Sequence, residues 1–179
     1  MQFEFTKMHG IGNDFVVIDA VNQDIELTGD QVRFIADRHF GVGCDQLLLV
    51  ERPTRTGAEF RYRIYNADGG EVQQCGNGAR CFARFVHDRG MSGSTKIAVE
   101  TAAGMIYLEL ENDGQVTVDM GVPSFEPESL PFEADATDEV DAEYHQLVVN
   151  GEKYAIGAVS VGNPHAVLLV DSVDKAPVE

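Results

Sequence analysis

Short apolar segments separated by glycines and polar residues recur along the chain, a pattern typical of β-strands. It predicts one strand, a glycine-containing turn around Gly10–Asn13, and a second strand through Phe15–Ile18. The apolar run QLLLV at 46–50, with glycines before it and Pro53 after it, is typical of a short buried strand. These segments are therefore expected to share a sheet.

The next strand is predicted to expose one of its faces. Segment 58–69 alternates, so its apolar face carries Phe60, Tyr62 and Ile64 and its opposite face carries Arg61, Arg63 and Tyr65. The strand is expected to end in an Asx-type turn at Asn66–Gly70, because asparagine, aspartate and glycine all favour turns.

Two segments instead carry apolar residues at helical spacing. The first lies at 27–40, where Thr28 or Asp30 can cap the helix and Gly41 and Gly43 are expected to end it. The second runs from about 76 to about 90, and its apolar stripe consists of Ala79, Phe82, Ala83, Phe85 and Val86. So much aromatic and alanine content predicts that most of the second helix is buried.

Further strands are expected after the second helix. The segments with strand-like patterns lie at 95–104, 105–114, 115–121, 144–162 and 165–171. Within the fourth of these, Asn150–Gly151 is the strongest short-range signal for a hairpin turn. Many strands together with two helices predict a fold of the α+β class.

An internal similarity indicates two related units. Residues 12–20 (GNDFVVIDA) and 162–172 (GNPHAVLLVDS) share Gly-Asn, two further residues and an apolar run that reaches an aspartate. Two unrelated turn-and-strand segments would explain the same pattern. The expected units are 1–120, with its helix from about 76, and 121–179.

The second unit is expected to be incomplete. Cys75 follows Asn13 by 62 residues, and the same spacing after Asn163 runs past Glu179. The sequence is therefore interpreted as part of a longer protein. The segment 126–143 holds eight acids and no base, so it is expected to be a solvated, mobile linker. A calcium loop is disfavoured there because the run has no glycine.

Composition argues against several classes of function. The net charge is −17, from 30 acidic and 13 basic residues, and such a chain repels phosphate backbones, so no nucleic-acid partner is expected. No apolar stretch approaches the roughly 18 residues of a membrane span, and no signal leader is visible, so no membrane association is expected. The three cysteines are an odd number, which indicates reduced thiols in a cytoplasmic protein.

Cys75 is the strongest candidate for a reactive group, because it stands directly ahead of the second predicted helix. Backbone N–H groups and the dipole at a helix N-terminus favour a thiolate and also form a site for a carboxylate or phosphate. Gly76 and Gly78 allow close approach of a ligand, and Asn77 can cap the helix or adopt an unusual backbone conformation. A buried, unreactive cysteine would fit the same residues.

Other cysteine chemistries have weaker support. Cys75, Cys81 and His87 are spaced six apart, which points them in different directions around a helix, so no metal site is expected. No C-x-x-C is present, and Arg80 follows Cys75 one residue too early for a cysteine phosphatase loop. Cys44 and Cys81 are expected to be core thiols. A Cys–His hydrolase stays open, with a base among His9, His39, His87, His145 and His165.

Four motifs together carry a family resemblance: KMHGIGNDFVVID, GVGCDQ, YNADGGEVQQCGNGARC and VGNPHAV. With these motifs in this order, the chain resembles the diaminopimelate epimerases. The resemblance implies an isomerase, independent of pyridoxal phosphate, metal or other cofactor, that interconverts the LL and meso forms of a small amino acid, diaminopimelate, in lysine biosynthesis. It also implies two similar halves, each a strand barrel wrapped around a central helix.

The resemblance implies a mechanism with two cysteines on opposite sides of one substrate carbon. One thiolate removes the α-proton and the other thiol protonates the opposite face. Because the α-hydrogen is very weakly acidic, the site must stabilise the carbanion electrostatically. By motif, Cys75 is one of the pair, His165 lies beside the reacting centre, and Gly76 and Asn77 bind the α-carboxylate. The remaining residues implied to bind substrate are Asn13, Gln46, Asn66 and Asn163.

The sequence departs from this resemblance in one respect. A second cysteine with its own glycine-rich helix start is missing, and neither Cys44 nor Cys81 sits in a matching motif. The 179 residues alone are therefore expected to be inactive. One alternative interpretation is a binding or assembly fragment whose exposed strand edges favour a homodimer. Another is an isomerase related to the proline racemases or the phenazine-biosynthesis isomerases.

Overall fold

The structure is a computed structural model that describes residues 2–73, 75–131 and 144–176. The chain divides into two compact units, Met1–Met120 and Gly121–Glu179. The strands of the first unit are β1 (Thr6–Gly10), β2 (Asn13–Asp19), β3 (Gln46–Glu51), β4 (Phe60–Asn66), β5 (Glu71–Val72), β6 (Lys96–Thr101), β7 (Gly104–Leu110) and β8 (Val116–Asp119), and its helices are α1 (Gly29–Ala36) and α2 (Gly76–Asp88). The strands of the second unit are β9 (His145–Val149), β10 (Glu152–Ser160) and β11 (Pro164–Val167). The predicted α+β class is confirmed.

One mixed sheet organises the first unit. Its strand order is β1-β2-β3-β4-β6-β7-β8, with the short β5 beside β4. The β2–β3 and β4–β6 pairs are parallel and the other pairs are antiparallel. Helix α2 contacts β1 at one edge of the sheet and β8 at the other, so the sheet curves around the helix. A closed barrel and a repeat of this arrangement in the second unit stay predictions.

The apolar runs of β2 and β3 are continuous because both faces of these strands are buried. Phe15, Val17 and Leu48 belong to the cluster that packs against α2. The alternate residues, such as Val16 and Leu47, belong to the cluster that packs against α1 on the other face. Burial of apolar surface on both sides fixes the register, because a shift by one residue would exchange the two faces.

Helix α1 begins at a predicted cap but ends earlier than predicted. Thr28 and Gln31 form a reciprocal capping box, which selects Thr28 over Asp30 as the cap. The helix ends at Ala36, because Asp37 is extended and its carboxylate accepts hydrogen bonds from two N–H groups of the following turn. The predicted stop at the two later glycines was therefore wrong.

Strand β4 is more buried than predicted at one position. Tyr65, expected on the exposed face, is only 6% exposed because it packs into the cluster beneath α1. The Arg63 guanidinium lies over the Tyr65 ring, 5.2 Å from its centroid. The expected turn follows at once, where the Asp68 carboxylate accepts a hydrogen bond from the Gly70 N–H at 2.8 Å.

The second unit contains the predicted hairpin. Strands β9 and β10 pair around Asn150 and Gly151, whose φ angles of 52° and 85° are those that an Asn-Gly turn adopts. Strand β11 pairs with the other side of β10 and ends at Val167. Of the acidic segment, Pro127–Ser129 forms a 3-10 turn, while the expected mobile linker falls largely on 132–143, outside the described residues. Neither described α-helix is long and apolar enough to cross a membrane.

Helix α2 is packed most tightly at Gly78. A Cβ added there would lie 2.5 Å from the Tyr62 hydroxyl oxygen and 3.3 Å from Ile64 Cδ1. Tyr62 is 1% exposed, and its hydroxyl donates to the Cys75 carbonyl oxygen at 3.2 Å. The start of α2 is therefore held against the sheet by Tyr62, a residue that is itself tightly packed.

Gly78→Ala is expected to lower the free energy of unfolding by about 1–3 kcal/mol, measured by urea denaturation, because the buried tyrosine must be displaced. Gly76→Ala is the matched control on the same helix turn. Its added Cβ would meet the flexible Met120 side chain at 3.2 Å, so a change of less than about 1 kcal/mol is expected. Equal destabilisation by the two substitutions would contradict the tight contact at Gly78.

Candidate active site

Cys75 is the accessible thiol of the chain. It is partly exposed, whereas Cys44 and Cys81 are 2% and 4% exposed, so the prediction of two core thiols is confirmed. Burial raises the pKa of the Cys44 thiol and raises the pKa of Cys81 to about 11. Of the three cysteines, Cys75 is thus the one whose thiol a ligand can reach.

The N-terminus of α2 has no side-chain cap from its N-cap residue. Cys75 is the N-cap residue, with extended backbone angles, and its side chain makes no capping hydrogen bond. Of the two roles suggested for Asn77, neither is observed, because Asn77 lies inside the first turn without a positive φ angle and its Oδ1 accepts from the Arg80 guanidinium. No acidic residue occupies this turn, so its N–H groups are suited to a carboxylate ligand.

The β1–β2 turn brings Asn13 to Cys75. Ile11 and Gly12 have positive φ angles of 53° and 84°, which reverse the chain tightly. The turn packs against the start of α2, since a Cβ added at Gly10 would lie 3.3 Å from the Asn77 carbonyl oxygen. Asn13 opens β2, and its Oδ1 accepts from Cys75 Sγ at 3.8 Å.

Gln46 and Asn66 lie at the same end of the sheet as Asn13. Gln46 opens β3 and is directly paired with Asn66, the last residue of β4, while Phe15 near the start of β2 is the partner of Gln46 on the other side. Gln46 Nε2 donates to Asn66 Oδ1 at 2.9 Å. Within the described residues, Gln46 Oε1 is a buried side-chain oxygen that has no hydrogen-bond partner. An unpaired acceptor of this kind is suited to an N–H group of a ligand.

Sequence reasoning missed a charged cluster beside Asn13. Asp45 Oδ2 accepts from Asn13 Nδ2 at 3.1 Å. The Arg38 guanidinium donates to both Asp14 and Asp45 at 2.7 Å, and Lys7 donates to Asp14 at 2.6 Å. The Arg38 hydrogen bond holds the pKa of Asp14 well below its usual range, with a further contribution from Lys7. A signal was present in the sequence, because Asp45 directly precedes Gln46 in the GVGCDQ motif.

The other two predicted site residues lie in the second unit. Asn163 is in the turn between β10 and β11, and its carbonyl oxygen lies 3.0 Å from Nδ1 of His165 on β11. The structure thus brings Asn163 and His165 together on one hairpin, and their part in the Cys75 site stays a prediction. Among the described residues, the Cys75 thiol is hydrogen-bonded to an amide rather than to an imidazole, so the Cys–His hydrolase gains no support.

Comparison with known proteins gives a consistent result. The family profile described as diaminopimelate epimerase matches residues 5–126. The chain is 62% identical over 178 residues to the diaminopimelate epimerase of Aromatoleum aromaticum and 61% identical over 179 residues to that of Thioalkalivibrio sulfidiphilus. Each alignment covers 99% of this chain and 63% of the relative, so the chain spans less than two thirds of their length.

A solved structure shows the same fold at low sequence similarity. The hydroxyproline epimerase of Agrobacterium vitis, with trans-4-hydroxy-L-proline bound, superposes with a TM-score of 0.63 at 19% identity, over 92% of this chain and 50% of that chain. The family match at 5–126 includes every strand and helix described for the first unit, and it includes Asn13, Gln46, Asn66 and Cys75. The chain belongs to the diaminopimelate epimerase family.

Proposed function

We propose that these 179 residues supply one proton-transfer side of a cofactor-independent epimerase that interconverts LL- and meso-diaminopimelate. The observation that carries the proposal is Cys75, a partly exposed thiol at the open N-terminus of α2 that faces the Asn13 amide. The family match and the names of the relatives support diaminopimelate as the substrate. No pyridoxal phosphate or metal is needed for the steps described below.

The proposed reaction places the substrate α-carboxylate at the first turn of α2. The N–H groups of Gly76 and Asn77 are the donors. As the α-proton leaves, negative charge develops on the carboxylate oxygens, and the helix N-terminus stabilises that charge more strongly than it stabilises the ground state. Cys75 takes the α-proton as a thiolate in one direction and returns it as a thiol in the other.

The distal ammonium group of the substrate is proposed to bind the Gln46–Asn66 pair. Gln46 Nε2 is already used by Asn66, which leaves the buried Gln46 Oε1 as the free acceptor. Neutral amides hold a zwitterion without adding a group that titrates near neutral pH. A role in substrate binding for Asn163 and His165, on the second unit, stays a prediction.

Inversion by two bases needs a second proton-transfer group on the opposite face of the carbon. Cys44 and Cys81 are buried, so neither can take this role. We infer that the second group lies outside these 179 residues, which span 63% of the length of the relatives.

The 179-residue chain is therefore expected not to invert diaminopimelate. LL-diaminopimelate is incubated with the purified chain in D2O, deuterium at the α-carbon is followed by NMR, and the stereoisomers are separated by chiral chromatography. The expected rate of inversion equals that of the Cys75→Ala variant. Inversion by the unsubstituted chain that disappears in Cys75→Ala would show that the second proton-transfer group is already present.

Substrate binding is expected to protect Cys75 from alkylation. With meso-diaminopimelate at ten times its Kd, carbamidomethylation by iodoacetamide should slow about tenfold, because only the free protein reacts. Gln46→Ala should weaken binding by about fivefold to tenfold, whereas Gln31→Ala, an amide on α1, should leave it unchanged. Protection by L-proline as strong as that by diaminopimelate would favour the proline racemase alternative.

A second candidate function, assembly into a homodimer, is favoured by the surface of the second unit. Among the described strands of this unit, β9 and β11 lie at the edges of the three-stranded sheet. Exposed apolar side chains on or beside these strands are Val148, Val149, Val167, Leu169 and Val170. An unpaired edge with apolar neighbours is a surface on which another chain can pair.

Sedimentation velocity is expected to show association that increases with protein concentration. Leu169→Lys should weaken it about tenfold or more, because a charge replaces a side chain that is 74% exposed beside an edge strand. Val122→Lys is the control, since Val122 is 94% exposed and lies outside the described strands. A monomer at every concentration would rule out assembly through this surface.

A further inference from the structure

The Asn13 side chain can influence Cys75 in two opposite ways. Its amide presents either a carbonyl oxygen, which accepts a hydrogen bond, or an NH2 group, which donates one. An acceptor beside the thiol keeps the proton on sulfur, whereas a donor stabilises the thiolate. The orientation of the Asn13 amide therefore determines whether Asn13 favours the thiol or the thiolate form of Cys75.

Asp45 selects the orientation of the Asn13 amide. A carboxylate only accepts hydrogen bonds, so the group that Asn13 turns towards Asp45 must be its NH2 group, and the Nδ2–Oδ2 distance is 3.1 Å. The carbonyl oxygen is then on the other side of the amide plane, where it lies 3.8 Å from Cys75 Sγ. The charge of Asp45 thus determines that the NH2 group of Asn13 faces Asp45 and that its carbonyl oxygen faces Cys75.

Asp45 is itself held on both oxygens. Its Oδ1 accepts from the Arg38 guanidinium at 2.7 Å, and its Oδ2 also accepts from the Asp14 N–H at 3.0 Å. The Asp45 N–H returns a hydrogen bond to Asp14 Oδ1 at 3.0 Å, and Arg38 donates to that same oxygen. The hydrogen bonds from Arg38 to Asp14 and Asp45 raise the pKa of Arg38 further, so the guanidinium that binds the Asp45 carboxylate stays charged.

Asn77, two residues after Cys75 in the first turn of α2, shows the opposite arrangement. The Arg80 guanidinium only donates, so it binds Asn77 Oδ1, and the Asn77 NH2 group has no hydrogen-bond partner in the part of the chain that the structure describes. A donor at this place suits a carboxylate bound at the helix N-terminus. The anion Asp45 thus orients Asn13 through its NH2 group, and the cation Arg80 orients Asn77 through its carbonyl oxygen.

We propose that Asp45 is a positioning residue that turns the Asn13 carbonyl oxygen towards Cys75 and so keeps the proton on the resting thiol. The N-terminus of α2 favours the thiolate, and the Asn13 oxygen opposes it. This inference rests on the proposed function, since a thiol that both gives and takes a proton works best when its two forms are close in free energy. Asp45 acts through Asn13 and does not contact the substrate.

The test measures the alkylation rate of Cys75 at pH 7 with iodoacetamide, quantified on the Cys75 peptide by mass spectrometry. Asp45→Ala removes the acceptor for the Asn13 NH2 group, so the amide can turn and donate to sulfur. The rate is expected to rise about threefold, the size of one weak neutral hydrogen bond. Asp30→Ala, an equal change of charge on the exposed first turn of α1, is expected to leave the rate unchanged.

A double-substitution cycle separates positioning from a general structural effect. In an Asn13→Ala background no amide is left to turn, so adding Asp45→Ala is expected to change the alkylation rate by less than about 1.5-fold. The same threefold rise in that background would overturn the proposal. This readout needs no epimerase activity, so its failure is distinguishable from failure of the proposed function.

Circular dichroism checks that the Asp45→Ala variant folds. If it does not fold, two further measurements test the proposal without it. Asp45→Asn keeps the size of the side chain but puts an N–H donor where an oxygen accepted, and it is expected to raise the rate in the same direction. In the unsubstituted chain, the Asn13 side-chain amide protons should exchange with water more slowly than those of the exposed Asn112, followed by NMR. Equal exchange at the two asparagines would overturn the proposal.

Discussion

The contact between the start of α2 and the sheet is the constraint on which the rest of the structure depends. Phe82 and Val86 are fully buried against the inner face of the sheet, and Gly78 allows the helix to approach Tyr62. The Tyr62 hydroxyl then ties down the Cys75 carbonyl oxygen. Apolar burial along the helix therefore holds its N-terminus at one end of the sheet.

This placement accounts for the chemistry of the site. The first N–H groups of a helix carry partial positive charge, and here the N-cap side chain is a thiol that makes no capping bond. The same end of the sheet carries Asn13, Gln46 and Asn66, because each of them opens or closes a neighbouring strand. In the proposed function, a small zwitterion would meet donors for its carboxylate, acceptors for its ammonium and a thiol, all within the first unit.

Local features of the fold could be predicted from the sequence, and features made by tertiary contact could not. The runs in β2 and β3 and the Asn150–Gly151 turn are encoded in a few adjacent residues, so their patterns were sufficient. Tyr65 was misplaced because its burial depends on α1 packing over it. The end of α1 was misplaced because the Asp37 carboxylate binds the next turn before any glycine is reached.

The same division applies to the site. Cys75 was found because a cysteine, two glycines and an asparagine ahead of a helical stripe are contiguous in sequence. The contact between Asp45 and Asn13 depends on the parallel pairing of β2 with β3, which brings the two residues together across 32 residues of sequence. No pattern within either segment specifies that contact, although the motif that contains Asp45 was visible.

The central claim is that the open N-terminus of α2, beside Cys75, binds the carboxylate of an amino-acid substrate. Its most direct test is an NMR titration of the 15N-labelled chain with meso-diaminopimelate, followed at the backbone amides. The largest shift changes are expected at Gly76 and Asn77, the proposed donors to the carboxylate, with smaller changes at the side-chain amides of Gln46 and Asn66. Saturable binding that leaves the amides of Gly76 and Asn77 unchanged would contradict it.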